Sequence, residues 1–238
     1  MTSRTRVALV TGGTRGIGRA IARRLAGDGF AVAISGRTEK SVEKAIGSFR
    51  KEGLEIKGFA ADARNEEDQR NLLRFVEREF GRLDLLVNNA GIGHFERVDR
   101  LAPARFREVI ETNLLGPYYA IHYAAPLMKK SGGGFIINIA SLASINAFAG
   151  GSAYNASKFG LLGLSDAAML DLRHEGIRIA AILPGSVATE FSHSHRSRED
   201  SWMLAAEDVA QAVSDLVRFP ERAIPSRLDL RPSRPPKR

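Results

Sequence analysis

The chain contains no cysteine. Disulfides, thiol nucleophiles and zinc–thiolate centres are therefore excluded. Lack of disulfides suits a cytoplasmic protein, which is the expected location. Aromatic residues are scarce, at 7%, with a single tryptophan. That is poor material for the stacking platforms of a nucleic-acid groove, and no nucleic-acid partner is expected. No run approaches the roughly 18 apolar residues of a membrane span. The opening Met1-Thr2-Ser3-Arg4-Thr5-Arg6 lacks the apolar core and cleavage site of a signal peptide. Neither a secreted nor a membrane-associated form is expected.

What is present is ordinary globular material. The 238 residues are 44% hydrophobic, enough for a substantial core. Lys and Arg total 35 against 27 Asp and Glu, a formal net charge of +8. Arg231, Arg234, Lys237 and Arg238 stand in the tail 231–238 with no acid among them. A basic run of this kind reads first as a solvated tail. No repeat, low-complexity block or linker divides the chain, so 1–238 is expected to form one domain.

Short β-branched runs alternate with longer helical patterns. Residues 7–11, 31–35, 55–60, 83–88, 135–140, 178–183 and, more weakly, 227–230 read as strands. Most are continuously apolar, as parallel strands covered on both faces must be. Residues 16–28, 39–51, 66–80, 103–130, 152–174 and 207–218 read as helices. This alternation predicts an α/β fold, a single doubly wound parallel sheet of about seven strands with helices on both faces, of Rossmann type. Ligands in such a sheet bind beyond the carboxyl ends of the strands. The polar segment 192–201 reads as a mobile loop within a short lid, about 190–206. A lid so short suggests an open or small pocket.

The first strand runs into Thr11-Gly12-Gly13-Thr14-Arg15-Gly16-Ile17-Gly18. Glycines here let the backbone turn tightly and approach a diphosphate, and the following helix offers free N–H groups. The spacing GxxxGxG differs from the GxGxxG fingerprint, and a plain strand–helix connection is the competing reading. An NAD ribose is usually held by a carboxylate after the second strand. Here Ser35-Gly36-Arg37-Thr38 stands instead. Arg37, with Arg15 nearby, suits a 2′-phosphate. NADP(H) is therefore expected over NAD(H). Asp62-Ala63 ends the third strand, within reach of an adenine edge. In Asn88-Asn89-Ala90-Gly91, ending the fourth, the Asn amides can tie loop backbone together. Tyr154 and Lys158 stand at i,i+4, one face of a helix, where the ammonium can favour the phenolate.

From residue 7 to about 217 the chain resembles the short-chain dehydrogenase/reductase family in its compact form. The motifs come in the family's order: Gly12-x-x-x-Gly16-x-Gly18, Asn88-Asn89-Ala90-Gly91, Asn113, Ser141 with Tyr154-x-x-x-Lys158, and Pro184-Gly185. The resemblance implies that Tyr154 is the general acid/base and that Ser141 orients the substrate oxygen. It implies that Lys158 binds the nicotinamide ribose and lowers the Tyr154 pKa, and that Asn113 holds a water in a proton relay. It places Gly12, Thr14, Arg15, Gly16, Ile17, Gly18, Arg37, Asp62, Ala63, Asn89, Ala90, Gly91, Tyr154, Lys158, Pro184, Gly185, Val187 and Thr189 along the cofactor. The implied activity is NADP(H)-dependent hydride transfer between nicotinamide and a carbonyl or secondary alcohol. Narrower forms are a 3-oxoacyl-carrier-protein reductase and a sugar or polyol dehydrogenase. A non-catalytic NADP(H)-sensing protein would need a broken catalytic set, and none is broken here.

Substrate contacts are less legible. His94, Phe95, the stretch 142–151 including Leu142 and Gly150, Phe191, Trp202 and Met203 are the candidates, beside Ser141 and Tyr154. His193-x-His195 has no further ligand cluster with it, so no metal is expected. Lys129, Lys130 and Arg173 offer a basic patch to an acidic carrier, or simply a solvated helix end. Many family members end in a Gly-Gly pair at a subunit interface. This chain ends otherwise, which removes one support for tetramer packing. The apolar faces of 103–130 and 152–174 still predict a homo-oligomer, dimer or tetramer.

Overall fold

A computed structural model describes residues 4–190 and 201–236. Seven strands form one parallel sheet in the order β3-β2-β1-β4-β5-β6-β7. They are β1 (Val7–Val10), β2 (Ala31–Gly36), β3 (Ile56–Ala60), β4 (Leu85–Asn88), β5 (Gly134–Ile139), β6 (Ile177–Pro184) and β7 (Arg227–Leu230). The central strands are buried almost throughout, as their mainly apolar sequences require, with Arg178 of β6 half-buried.

Helices cover both faces. α1 (Gly16–Gly27), α2 (Glu39–Lys51) and α7 (Ala206–Val217) pack Ile21, Leu25, Phe49, Val209 and Val213 against one face. α3 (Glu66–Phe80), α5 (Gly116–Ser131) and α6 (Ser152–Leu172) pack Leu72, Val76, Ala124, Met128 and Ala168 against the other. Their ends follow local rules. Thr38 caps α2 by accepting from Ser41 N, and Asn65 caps α3 by accepting from Asp68 N. Gly81 ends α3 in the left-handed region, at φ 72°.

The helical pattern over 103–130 does not form one helix. It gives α4 (Pro103–Ile110), a π-helical turn over Glu111–Leu115, and α5. The cause is the Gly116-Pro117 pair. A side chain on Gly116 would meet the Ala63 carbonyl at 2.8 Å. Pro117 has no N–H to give the carbonyl of Asn113, its partner four residues back in an α-helix. Gly116 N instead reaches the Glu111 carbonyl, one residue further than α-helical bonding would take it.

A buried polar chain crosses the sheet. Asn88 Nδ2 donates to Asn138 Oδ1 at 2.8 Å, and Asn138 Nδ2 donates to Ser165 Oγ at 2.8 Å. Ser165 Oγ in turn donates to the Leu161 carbonyl at 2.6 Å. Neighbours β1 and β4 lead to helices on opposite faces, so their carboxyl ends open a crevice.

Candidate active site

The glycine turn after β1 is held by the end of β4. Thr11 Oγ1 accepts from Asn89 N at 3.0 Å and from Ala90 N at 3.2 Å. Asn89 Nδ2 donates to the Thr11 and Gly12 carbonyls at 3.0 and 3.2 Å. Gly18 is obligatory in this packing, since a Cβ there would sit 2.3 Å from both Asn89 Nδ2 and the Gly12 carbonyl oxygen. Arg15 provides no side-chain cap for α1. The first N–H groups of α1 thus lack the capping that α2 and α3 receive, and they can take a diphosphate.

The cleft that begins here has a volume of about 1630 Å³. That exceeds the roughly 300–1,000 Å³ typical of a single small-ligand pocket, and it suits a dinucleotide beside a second molecule. Every residue expected along the cofactor borders it, from Gly12 to Thr189.

Sequence reading missed Arg64 at the adenine end. Its guanidinium grips Asp62, with Nη2 2.6 Å from Oδ2, and reaches Glu108 at 3.4 Å. The Arg64 hydrogen bond, more than any other cause, holds the Asp62 carboxyl below the usual range. Arg64 and Glu108 both border the cleft. Arg15 pairs with Glu190 across the cleft mouth at 3.3 Å. Arg37 is exposed, borders the cleft, and forms no ion pair among the described residues.

Ser141 follows β5, and Tyr154 and Lys158 lie in the first turns of α6. Ser141 hydrogen-bonds the Tyr154 hydroxyl, which works against the rise that burial imposes on the phenol. Ser141 Oγ also accepts from Ala143 N at 3.1 Å, fixing its rotamer. Lys158 is buried and donates to the Ile139 carbonyl at 2.9 Å. Its Nζ lies 5.8 Å from the Tyr154 ring centroid. Burial lowers the Lys158 pKa from 10.5 to about 8. The expected lowering of Tyr154 by Lys158 does not govern this geometry: burial pushes the phenol up and Ser141 opposes it.

Asn113 is wholly buried behind the pair. Its side chain is consumed by structure. Oδ1 accepts from Ile92 N at 2.9 Å, and Nδ2 donates to the Ile92 carbonyl at 2.9 Å and to Ser157 Oγ at 3.0 Å. Its backbone carbonyl faces Pro117, which has no N–H to supply the α-helical bond.

The substrate candidates divide. Ser141, Leu142, Tyr154 and Trp202 border the cleft, as do Phe95 and Met203. His94 is not among the bordering residues; its Nε2 lies 3.1 Å from Glu108 Oε2, drawn there by that carboxylate. Gly150 is also set back, because its carbonyl accepts from Glu96 N at 2.9 Å. Phe191, His193 and His195 lie outside the described residues, as does most of the 192–201 loop. Val187 and Leu204, on either side of residues 191–200, form a parallel bridge. The tail does not simply leave into solvent. Gly185 N donates to the Leu230 carbonyl at 2.8 Å, and Arg231, Pro232, Pro235 and Pro236 border the cleft.

Comparison with known proteins accords with this arrangement. The family model described as short chain dehydrogenase matches residues 6–200. An uncharacterized oxidoreductase, YxjF of Bacillus subtilis (strain 168), is 37% identical over 194 residues, covering 82% of this chain and 76% of its own. The 3-oxoacyl-(acyl-carrier-protein) reductase FabG of Staphylococcus aureus (strain N315) is 33% identical over 213 residues, 89% of this chain and 86% of its own. A metagenomic short-chain oxidoreductase solved with NADP superposes with a TM-score of 0.84 at 33% identity, covering 98% of this chain and 100% of that one. An alcohol dehydrogenase from the archaeon Thermococcus sibiricus, complexed with 5-hydroxy-NADP, gives 0.88 at 30% identity, with the same 98% and 100% coverage. By its motifs, its sheet order and these relatives, the chain belongs to the short-chain dehydrogenase family.

Proposed function

We propose that this chain is an NADP(H)-dependent oxidoreductase acting on a carbonyl or secondary alcohol, with Tyr154 as general acid/base. One observation carries the reading: the Ser141–Tyr154 hydroxyl pair, backed by buried Lys158, opens on a cleft that begins at the uncapped end of α1. The bound dinucleotide supplies the hydride. The chain's own residues do the rest. Ser141 and Tyr154 present two hydroxyl donors to the substrate oxygen as charge grows there. Tyr154 gives its proton in reduction and takes one in oxidation. Lys158 places a cation behind the phenolate, and the Asn113 carbonyl holds water that returns the proton.

The phosphate preference rests on Arg37. Arg15 is already paired with Glu190, and Arg64 with Asp62 and Glu108. Arg37 is the cation left to fork onto a 2′-phosphate. The NADP-bound structural relatives support the same choice.

The resemblance to FabG raises a carrier-bound substrate as a second reading. Two of the three cations of the basic patch already have partners, Lys129 with Glu175 and Lys130 with Glu77, which weakens that reading. The exposed Phe106, Leu115 and Tyr118, with Phe159 and Leu170 on α6, support self-association through these helices. The cysteine-free composition supports a cytoplasmic setting.

The test is a titration with NADPH and NADH, then NADPH oxidation against carbonyl compounds. Preference for NADPH with turnover is the expected result. Tight binding of NADH alone, or wild-type turnover by Tyr154→Phe, would overturn the reading.

A further inference from the structure

Two half-exposed rings stand beside the proton donor. Phe95 is 50% exposed and Phe148 48% exposed. Their ring centroids are 5.9 Å apart, and Phe95 meets Tyr154 edge-on at 5.5 Å. The three rings form a continuous aromatic row that ends at the reactive phenol.

The row is held by hydrogen bonds. Glu96 N donates to the Gly150 carbonyl at 2.9 Å, joining the loop of Phe95 to that of Phe148. Asn155 fixes the second loop to α6. Its Nδ2 donates to the Ala143 and Asn146 carbonyls at 2.8 and 3.1 Å, and its Oδ1 accepts from Phe148 N at 3.3 Å. Rings anchored in this way need little ordering when a ligand arrives.

The neighbouring walls are largely apolar, with Ser186 and Arg231 the polar residues beside Gly185 and Pro232. In the 142–148 loop, Leu142, Ala143, Ala147 and Phe148 border the cleft, with Asn146 the one polar side chain among the five from that loop that do so. Trp202 and Met203 border it from the lid base. From the C-terminal segment, Pro232 is seated over Gly185, whose Cβ would lie 2.9 Å from Pro232 Cδ and 3.3 Å from Leu142 Cδ1. A proline ring has no N–H to offer a sugar or thioester.

We infer that the substrate is an uncharged aldehyde or ketone bearing a flat apolar ring, held by Phe95 and Phe148 and bordered by Pro232. This rests on the oxidoreductase reading and names the substrate class of the same site. Aromatic faces and edges favour a flat ring. Against these two rings a hydroxyl-rich sugar or charged thioester would lose hydration with few hydrogen bonds in return.

The experiment compares kcat/KM of the full chain with NADPH for 2-acetonaphthone, fructose and acetoacetyl-CoA. The ring ketone is expected to lead by about a hundredfold. Phe95→Ala and Phe148→Ala should each raise its KM by about threefold to tenfold, with NADPH affinity kept. Turnover that favours fructose or acetoacetyl-CoA, or a KM that neither variant moves, overturns the inference and leaves the oxidoreductase reading intact. If NADPH is not bound or nothing is reduced, that reading fails instead. The inference is then decided by fluorescence of Trp202, the chain's one tryptophan. Saturable quenching by 2-acetonaphthone that weakens in Phe95→Ala supports it, and its absence overturns it.

Discussion

Pro117 stands four residues after Asn113 and has no N–H to give the Asn113 carbonyl. The π-helical turn over Glu111–Leu115 sits at this break, and its Thr112 borders the candidate site. Pro117→Ala restores the donor and lets the turn tighten toward α-helix. We expect unchanged or raised thermal stability with kcat lowered by about tenfold, the scale of a weakened proton path. Steady-state kinetics beside thermal unfolding checks this; an unchanged kcat would remove the carbonyl from the relay.

Tyr154→Phe deletes one hydroxyl and keeps the ring that packs on Phe95. NADPH affinity should persist while kcat falls by about 10²–10⁴-fold. Fluorescence titration and turnover read the two effects separately.

Lys158 makes a pH-dependent prediction. Its pKa is about 8 when folded, against 10.5 ordinarily. Between those values the unfolded chain binds more protons, so stability rises with pH across the window. Below about pH 8 the full penalty for burying the charge is present, an upper bound of about 3 kcal/mol. Lys158→Met should lose turnover yet melt higher than the parent at about pH 7, with the margin shrinking toward about pH 10. A lower melting temperature at neutral pH would show that the bond to the Ile139 carbonyl outweighs desolvation.

Arg37→Glu places a carboxylate where the 2′-phosphate is expected. NADPH affinity should fall by about tenfold or more while NADH binding holds or improves. Parallel titrations decide it, and equal losses for both cofactors would mean that Arg37 does not read the phosphate.

Local signals made much of this molecule legible. Most strands are legible as nearly continuous apolar runs, and the Tyr154–Lys158 pair by its helical spacing taken together with the glycine turn after β1. Three features required the tertiary structure. The break at 111–115 was signalled by Gly116-Pro117, yet the apolar period continues through it and hid the interruption. Arg64 captures Asp62 with help from Glu108 on α4, a partner far away in sequence. Phe95 and Phe148 lie far apart in sequence, and the bond between Glu96 and Gly150 joins their loops. The tail reads as solvated because its prolines and arginines carry no pattern. Its place beside Gly185 follows from the pairing of β6 and β7.

The buried chain Asn88–Asn138–Ser165 bears on how such a site changes over time. It fastens β4, β5 and α6 by side chains whose partners change with any one-residue slip. A helix turns about 100° per residue, so a slip of α6 against this pin would swing Tyr154 away from Ser141. The face that carries Tyr154 is thereby indexed from the middle of the sheet. The side chains of Phe95 and Phe148, and the proline segment at the C-terminus, take no part in that pin, although Asn155 ties the Phe148 loop to α6. They can be rewritten for another molecule while Tyr154 keeps its aim.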